Sequence, residues 1–232
     1  MNILAIDTST SVASVSLSIN ETVYTVNIDD EKTHSQKLLP IISNILKEHN
    51  LTVLDIDNFI AGNGPGSFTG IRIGVSSIKG LAHVANKNIF GVSTLDILAY
   101  SEIENNKYIC SIIDARNMNA YYCIYKVNAD YTVEYVSKHD AAHIDEIIEL
   151  AQNLNEKVMF VGSGAITYAD ILNLHSNFTL SKNNSVDSAN LIKLFNINKE
   201  HNMDFINRNT YTYHSFNPIY LRPSQAERLM KK

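Results

Sequence analysis

Gly64-Pro65-Gly66-Ser67-Phe68-Thr69-Gly70 is the stretch on which the reading of the fold turns. It stands between the apolar run Phe59-Ile60-Ala61 and an amphipathic stretch from Ile71 to Ala85, so three glycines and a proline specify one tight strand-to-helix turn. A helix start leaves backbone N–H groups pointing outward with partial positive charge, which suits either a phosphate or a closely packed neighbouring backbone. The residues around it remove the commonest phosphate motifs. There is no Gly-Lys-Ser/Thr ending of a P-loop and no Gly-x-Gly-x-x-Gly spacing, and Ser67 lacks the Gly-x-Ser-x-Gly frame of a hydrolase nucleophile. Glycine is also the default wherever φ must be positive, so a purely structural role stays open beside a ligand role.

Upstream, Ile3-Leu4-Ala5-Ile6 reads as a buried strand, and 12–19 alternates apolar and polar with period two. A third strand over 22–28 completes an antiparallel meander. Thr33 is placed to cap a helix running from His34 to Lys47, in which Pro40 should bend or break the first turns. A strand at 58–61, the glycine turn, a helix over 69–85, a short strand at 89–91 and a helix over 94–100 follow. Periodicity then lapses at Ser101-Glu102-Ile103-Glu104-Asn105-Asn106-Lys107, which marks a boundary between a lobe of residues 1–104 and a lobe of residues 105–232.

The second half repeats the first. Three strands over 108–114, 120–127 and 132–136 precede a helix near 143–154, a strand at 158–161, the turn Gly162-Ser163-Gly164, and helices over 166–174 and 188–195. The prolines of the tail Phe216-Asn217-Pro218-Ile219-Tyr220-Leu221-Arg222-Pro223 make it extended, with room for a C-terminal segment to swap back onto the first lobe. Two βββαβα halves make a mixed α/β chain.

Composition narrows the function. An apolar share of 45% and a charged share of 19% over 232 residues describe a chain able to fill a substantial core. No stretch reaches the roughly 18 consecutive apolar residues of a membrane span, and the first residues lack a basic region, which points to the cytoplasm. Cys110 and Cys123 stand in no ligand spacing and read as buried thiols. A formal net charge of -5 repels polyanions, so any RNA would be gripped by something else.

Individual residues carry paired readings. Asp7-Thr8-Ser9-Thr10 ends a strand and could hold a metal-bound phosphate, or its hydroxyls could cap their own backbone. His34 suits a partner contact better than a catalytic base. Asp114-Ala115-Arg116 could orient a ligand or form a hairpin salt bridge, and Gly164 could approach a nucleotide or serve its turn. Small residues Gly74, Ser76, Ser77 and Gly80 give the second helix a smooth face. Beside the over-apolar first helix this suggests either internal packing or an exposed partner surface.

Taken in order, Ile6-Asp7-Thr8-Ser9, His34 with Pro40, the segment from Gly64 to Gly74, Gly91-Val92-Ser93-Thr94-Leu95, Asp114-Ala115-Arg116 and Tyr220-Leu221-Arg222 resemble the TsaB (YeaZ) family. The resemblance implies the actin-like ATPase domain (ASKHA, ribonuclease H-like) fold with two lobes. It also implies a non-catalytic subunit of tRNA threonylcarbamoyladenosine synthesis that binds the transferase TsaD together with the ATPase TsaE. ATP and metal would belong to those partners, with no cofactor bound strongly here, no membrane, a homodimer in isolation, and tRNA met through the complex. The metal-bearing relatives place a His-x-x-x-His pair in the helix after the glycine turn, where this chain reads Val92-Ser93-Thr94-Leu95-Asp96-Ile97-Leu98, so a peptidase label has no ligands to rest on. The family pattern suggests Leu38, Ile42, Ile45, Ser76, Lys79 and His83 as partner contacts. It leaves Asp7, Thr8, Ser9, Gly64, Gly66, Ser67 and Gly164 lining a vestigial nucleotide cleft with no metal. The rival reading is an autonomous actin-like nucleotide hydrolase using Asp7.

Overall fold

The computed structural model describes residues 1–29 and 34–222. Alternation does what the sequence asks of it in β1 (Asn2–Asp7), β2 (Val12–Ile19) and β3 (Thr22–Asp29): Leu4, Ile6, Val15 and Leu17 bury on one face, while Ile3 and Ala5 bury on the other. Helices α1 (His34–Glu48) and α2 (Phe68–Ala85) cover the first of these faces. Strands β4 (Asn58–Gly62) and β5 (Ile89–Val92) extend the sheet parallel to β1, giving the order β5-β4-β1-β2-β3. Thr33, expected as the cap of α1, lies outside the described residues. The helix continues through Pro40, contrary to the expected break, because Pro40 sits on the exposed side, where water can satisfy the carbonyl that its ring frees.

The second sheet repeats this plan. Strands β6 (Tyr108–Asp114) and β7 (Asn119–Val127) pair antiparallel, β8 (Val133–Tyr135) and β9 (Asp140–His143) both pair with β7, and β10 (Val158–Val161) and β11 (Phe178–Leu180) continue parallel from β6. Helix α4 (Ile144–Gln152) packs its Ile144, Ile147 and Ile148 into the core on one side of this sheet. The single helix expected over 166–174 is two short ones, α5 (Ser163–Thr167) and α6 (Ala169–Leu172), interrupted at Tyr168, whose hydroxyl is drawn to Asp114.

Between the sheets lie α3 (Thr94–Tyr100) and α7 (Ser188–His201). One apolar core joins Ile3, Ala5 and Ile60 of the first sheet to Leu95 and Leu98 of α3, Leu191 of α7, and Ile109 and Val161 of the second sheet. Past the boundary drawn at 104/105, the far end of the chain returns to the first sheet. Helix α7 packs on β1, β2 and β4, its Ser188 hydroxyl bonding those of Ser14 and Ser16 at 2.8 and 2.7 Å. After α8 (Met203–Arg208), strand β12 (Thr210–Tyr211) adds antiparallel to β5 at the edge of the first sheet. Those last strands and helices are too short or too polar to announce themselves by periodicity.

Candidate functional site

The residues expected to line a nucleotide cleft come together around the glycine turn, with one exception. Strand β1 ends at Asp7, and the turn to β2 carries Thr8 and Ser9 across to the start of α2. There the Ser67 N–H donates to the Ser9 carbonyl at 2.7 Å, the Gly70 N–H to Ser67 Oγ, and the Thr8 hydroxyl to the Gly70 carbonyl at 2.6 Å. A Cβ at Gly66 would collide with the Ser9 carbonyl, one at Gly70 with the Thr8 carbonyl, and one at Gly74 with Thr8 Oγ1. Gly64 has φ of 104°, and a Cβ there would stand 2.7 Å from the Ile219 carbonyl oxygen. Of the two readings of this turn, the geometry matches a closely packed neighbouring backbone: the space beside Gly66, Gly70 and Gly74 that a side chain would need is filled by Thr8 and Ser9. Gly164 does not join them. It packs on Ile112 of β6, and it is Gly162, with φ of 110° and the Ile112 carbonyl against it, that requires glycine in the second turn.

Asp7 is fully buried. Its Oδ1 accepts from the Ser9 N–H at 2.9 Å and the Ser9 hydroxyl at 2.7 Å, while Oδ2 occupies the space where a Cβ on Gly62 would stand, with no hydrogen-bond partner among the described residues. Burial pushes the carboxyl up to about 6, against the lowering influence of the two Ser9 bonds. The second lobe has a counterpart at the end of β6. Asp114 Oδ1 accepts from the Arg116 N–H at 2.9 Å and from the Tyr168 hydroxyl at 2.8 Å, and 116–118 all have left-handed φ. No ion pair joins Asp114 to Arg116 among the described residues, so the hairpin salt bridge expected there is replaced by an Asx turn.

The partner contacts suggested for α1 need correction. Leu38, Ile42 and Ile45 are 1%, 2% and 4% exposed: their spacing forms the stripe that covers Val15, Leu17 and Phe59, so they face inward. The outer surface of α1 instead carries Leu39, 49% exposed, with Pro40, Ser43 and Lys47. On α2, Ser76 is exposed, and on the next two turns come Gly80, with nothing among the described residues within 4 Å of its would-be Cβ, and Val84, 66% exposed. Lys79 and His83 are engaged by the tail. Lys79 Nζ donates to the Phe216 carbonyl at 2.9 Å, and the His83 ring stacks on Tyr213 with centroids 4.3 Å apart. Of His34 only its place at the start of α1 is described.

A polar cluster that sequence reading missed ties α3 to the second sheet. Asp96, nearly buried, accepts hydrogen bonds from Tyr125 at 2.8 Å and Tyr135 at 3.2 Å, and its Oδ1 lies 2.8 Å from His139 Nε2. Burial alone would lower the imidazole, but the bonds to Asp96 and Cys123 outweigh it and raise His139 to about 10, so it is the charged partner of Asp96. The signal available was an aspartate inside an otherwise apolar helix.

The family model of TsaD, tRNA N6-adenosine threonylcarbamoyltransferase, matches residues 28–222. The tRNA threonylcarbamoyladenosine biosynthesis protein TsaB of Escherichia coli K12 is 34% identical over 174 residues, 74% of this chain and 75% of that protein. The chain belongs to the TsaB family. TsaB of Haemophilus influenzae is 28% identical over 232 residues, covering 96% of this chain and 94% of its own. In three dimensions, a crystal structure of an uncharacterized Pseudomonas aeruginosa protein with similarity to peptidase YEAZ superposes with a TM-score of 0.82 at 23% identity, over 95% of this chain and 99% of that one. That likeness shows the fold, the two-lobed actin-like α/β architecture built above from repeated sheets. Membership of the TsaB family places the chain in tRNA threonylcarbamoyladenosine biosynthesis. No helix among the described residues is long and apolar enough to cross a membrane.

Proposed function

We propose that this TsaB-family chain is a non-catalytic subunit that docks on a TsaD-type transferase, alongside a TsaE-type ATPase, through the outer face of α1 and α2. One observation carries the reading: Gly80 stands inside an 18-residue helix with nothing among the described residues within 4 Å of a would-be Cβ, Val84 is exposed one turn on, and the neighbouring α1 exposes Leu39. A mid-helix glycine costs about 1 kcal/mol relative to alanine, and nothing among the described residues repays it, so a second helix approaching closely is its natural use. In the absence of the transferase the same face would pair two copies of this chain.

The chemistry would then belong to the partners. Chain atoms fill the glycine turn, which speaks against an autonomous nucleotide hydrolase, and the net charge of -5 suits a subunit that meets tRNA only through its complex. Reconstituting modification with TsaD, TsaE, tRNA, threonylcarbamoyl-adenylate and ATP, with and without this chain, tests the role: multiple turnover should require it. Val84→Glu should weaken binding to the transferase by about 2 kcal/mol or more. Unaltered turnover without the chain, or steady ATP hydrolysis by the chain alone, overturns the reading.

A further inference from the structure

Among the described residues, β3 is the one long edge strand. It closes the first sheet on the side away from β12 and pairs with β2 alone. The other strands at the sheet margins are short, two residues in β12, three in β8 and β11 and four in β9, whereas β3 runs for eight. Folded proteins guard a long edge with lysine, proline or a bulge, because its unpaired backbone is a template for another strand. This strand carries none of those guards. Residues 20–29 contain no lysine, arginine or proline, and the register with β2 runs unbroken from Ile19 and Thr22 to Val12 and Asp29.

The hairpin turn decides which backbone groups are left over. Asn20 and Glu21 both have left-handed φ, 48° and 71°, as a two-residue type I′ turn requires, so the pair that closes it, Ile19 and Thr22, exchanges both of its hydrogen bonds. Alternation from there directs Tyr24, Val26 and Ile28 to β2. It turns the N–H and C=O of Val23, Thr25 and Asn27 outward, where no strand meets them among the described residues. The side chains are open as well. Val23, Tyr24 and Val26 are 39%, 40% and 37% exposed, apolar on both faces of the strand, and the Tyr24 ring lies against that of His49, just past α1, with centroids 4.0 Å apart. A row of free donors and acceptors between exposed apolar side chains is matched by an extended peptide.

Charge narrows the occupant. In sequence β3 follows Glu21 and leads into Asp29-Asp30-Glu31 with no basic residue between, so cations at the ends of an incoming strand would complement it. A second copy of the chain has the wrong sign: antiparallel pairing would set the Glu21 end of one β3 against the Asp29 end of the other, in chains of net charge -5. The same sign repels a nucleic acid. We propose that the outer edge of β3 takes an extended segment of another protein as an added strand of the first sheet, with alternating apolar residues and lysine or arginine at its ends. This surface is separate from the outer face of α1 and α2 and does not depend on the docking role argued above.

The test titrates the intact chain into fluorescein-labelled synthetic peptides, Lys-Val-Thr-Val-Thr-Val-Lys and its counterpart with glutamate at both ends, and follows fluorescence anisotropy. The lysine-ended peptide should bind about tenfold or more tightly than the glutamate-ended one at low salt. Amide hydrogen exchange at Val23, Thr25 and Asn27 should slow on binding, while Tyr24 and Val26, already bonded to β2, change little. Asn27→Pro removes an outward donor without touching the ladder to β2, and Val23→Lys places a cation on the edge; each should weaken the lysine-ended peptide about fivefold or more while native amide dispersion is kept. Equal binding of the two peptides overturns the basic occupant, and binding without slowed exchange at the three outward amides overturns the strand edge as its site. A dimer in sedimentation that Val23→Lys returns to monomer replaces the guest by a second copy. No binding of either peptide at millimolar concentration overturns the proposal outright.

Discussion

Asp7 ends β1 with one oxygen bonded twice to Ser9 and the other against Gly62 without a hydrogen-bond partner among the described residues. An acid whose folded pKa is raised binds its proton more tightly folded than unfolded, so stability falls as pH climbs from the unfolded value near 4 through about 6. Held at about 6, the carboxyl costs about 3 kcal/mol of stability at neutral pH, and the cost fades as pH falls below 4. Asp7→Asn should remove that dependence: urea unfolding at pH 4.5 and 7.5 should show the variant gaining on wild type by about 2 kcal/mol at the higher pH. A variant that loses stability equally at both would mean the charged carboxylate is satisfied in solution by something bound. The residue type at this strand end was readable from sequence, and so were its two candidate uses. Which of them holds was not, because it depends on how closely the Thr8 and Ser9 backbone approaches a turn some 60 residues away.

Helix α2 shows the same substitution acting with opposite signs. Gly66→Ala, in the turn that opens the helix, would drive a methyl group into the Ser9 carbonyl and should cost about 3 kcal/mol; Gly80→Ala meets nothing and should raise stability by about 0.5–1 kcal/mol. Thermal unfolding of the two variants checks both, and Gly80→Ala should at the same time weaken transferase binding. Periodicity showed that α1 was over-apolar but not which way its apolar residues face: Leu38, Ile42 and Ile45 looked like surplus because the sheet beneath them, assembled from β1, β2 and β4, was invisible to a local window. Likewise Asp96 of α3 gains meaning only when β7 and β8 bring Tyr125 and Tyr135, and the segment after them brings His139. Here the folded pKa is raised in a base, so the ion pair stabilises fully below pH 6.5 and its contribution fades as pH rises towards 10. His139→Gln should therefore cost about 3 kcal/mol at pH 6, with the gap to wild type narrowing steadily by pH 9.5 in parallel denaturant titrations.

Taken whole, the chain folds two similar sheets but not two independent lobes. The repeat was legible because each half spells out the same order of alternating and helical segments; the closure was less so, since the helix over 188–195 could be read but its packing on β1, β2 and β4 could not, and α8 and β12 are short. That return decides the thermodynamics. Ile3, Ala5 and Ile60 are buried only because α3 and α7 lie over them in a core shared with Ile109 and Val161, and the Ser14 and Ser16 hydroxyls are satisfied by Ser188. Without residues 105–232, one face of the first sheet would expose these apolar side chains at about 25 cal/mol for each Å² uncovered, against a net stability of about 5–15 kcal/mol for a whole domain. A fragment of residues 1–104 should therefore fail to fold, giving collapsed amide proton dispersion in NMR spectra, whereas the full chain should unfold in one transition followed identically by near- and far-ultraviolet circular dichroism. Two separated transitions, or a well-dispersed spectrum from the fragment, would show instead that the interlobe core is a late contact between parts already stable, and would free the α1/α2 face to act without the lobe behind it.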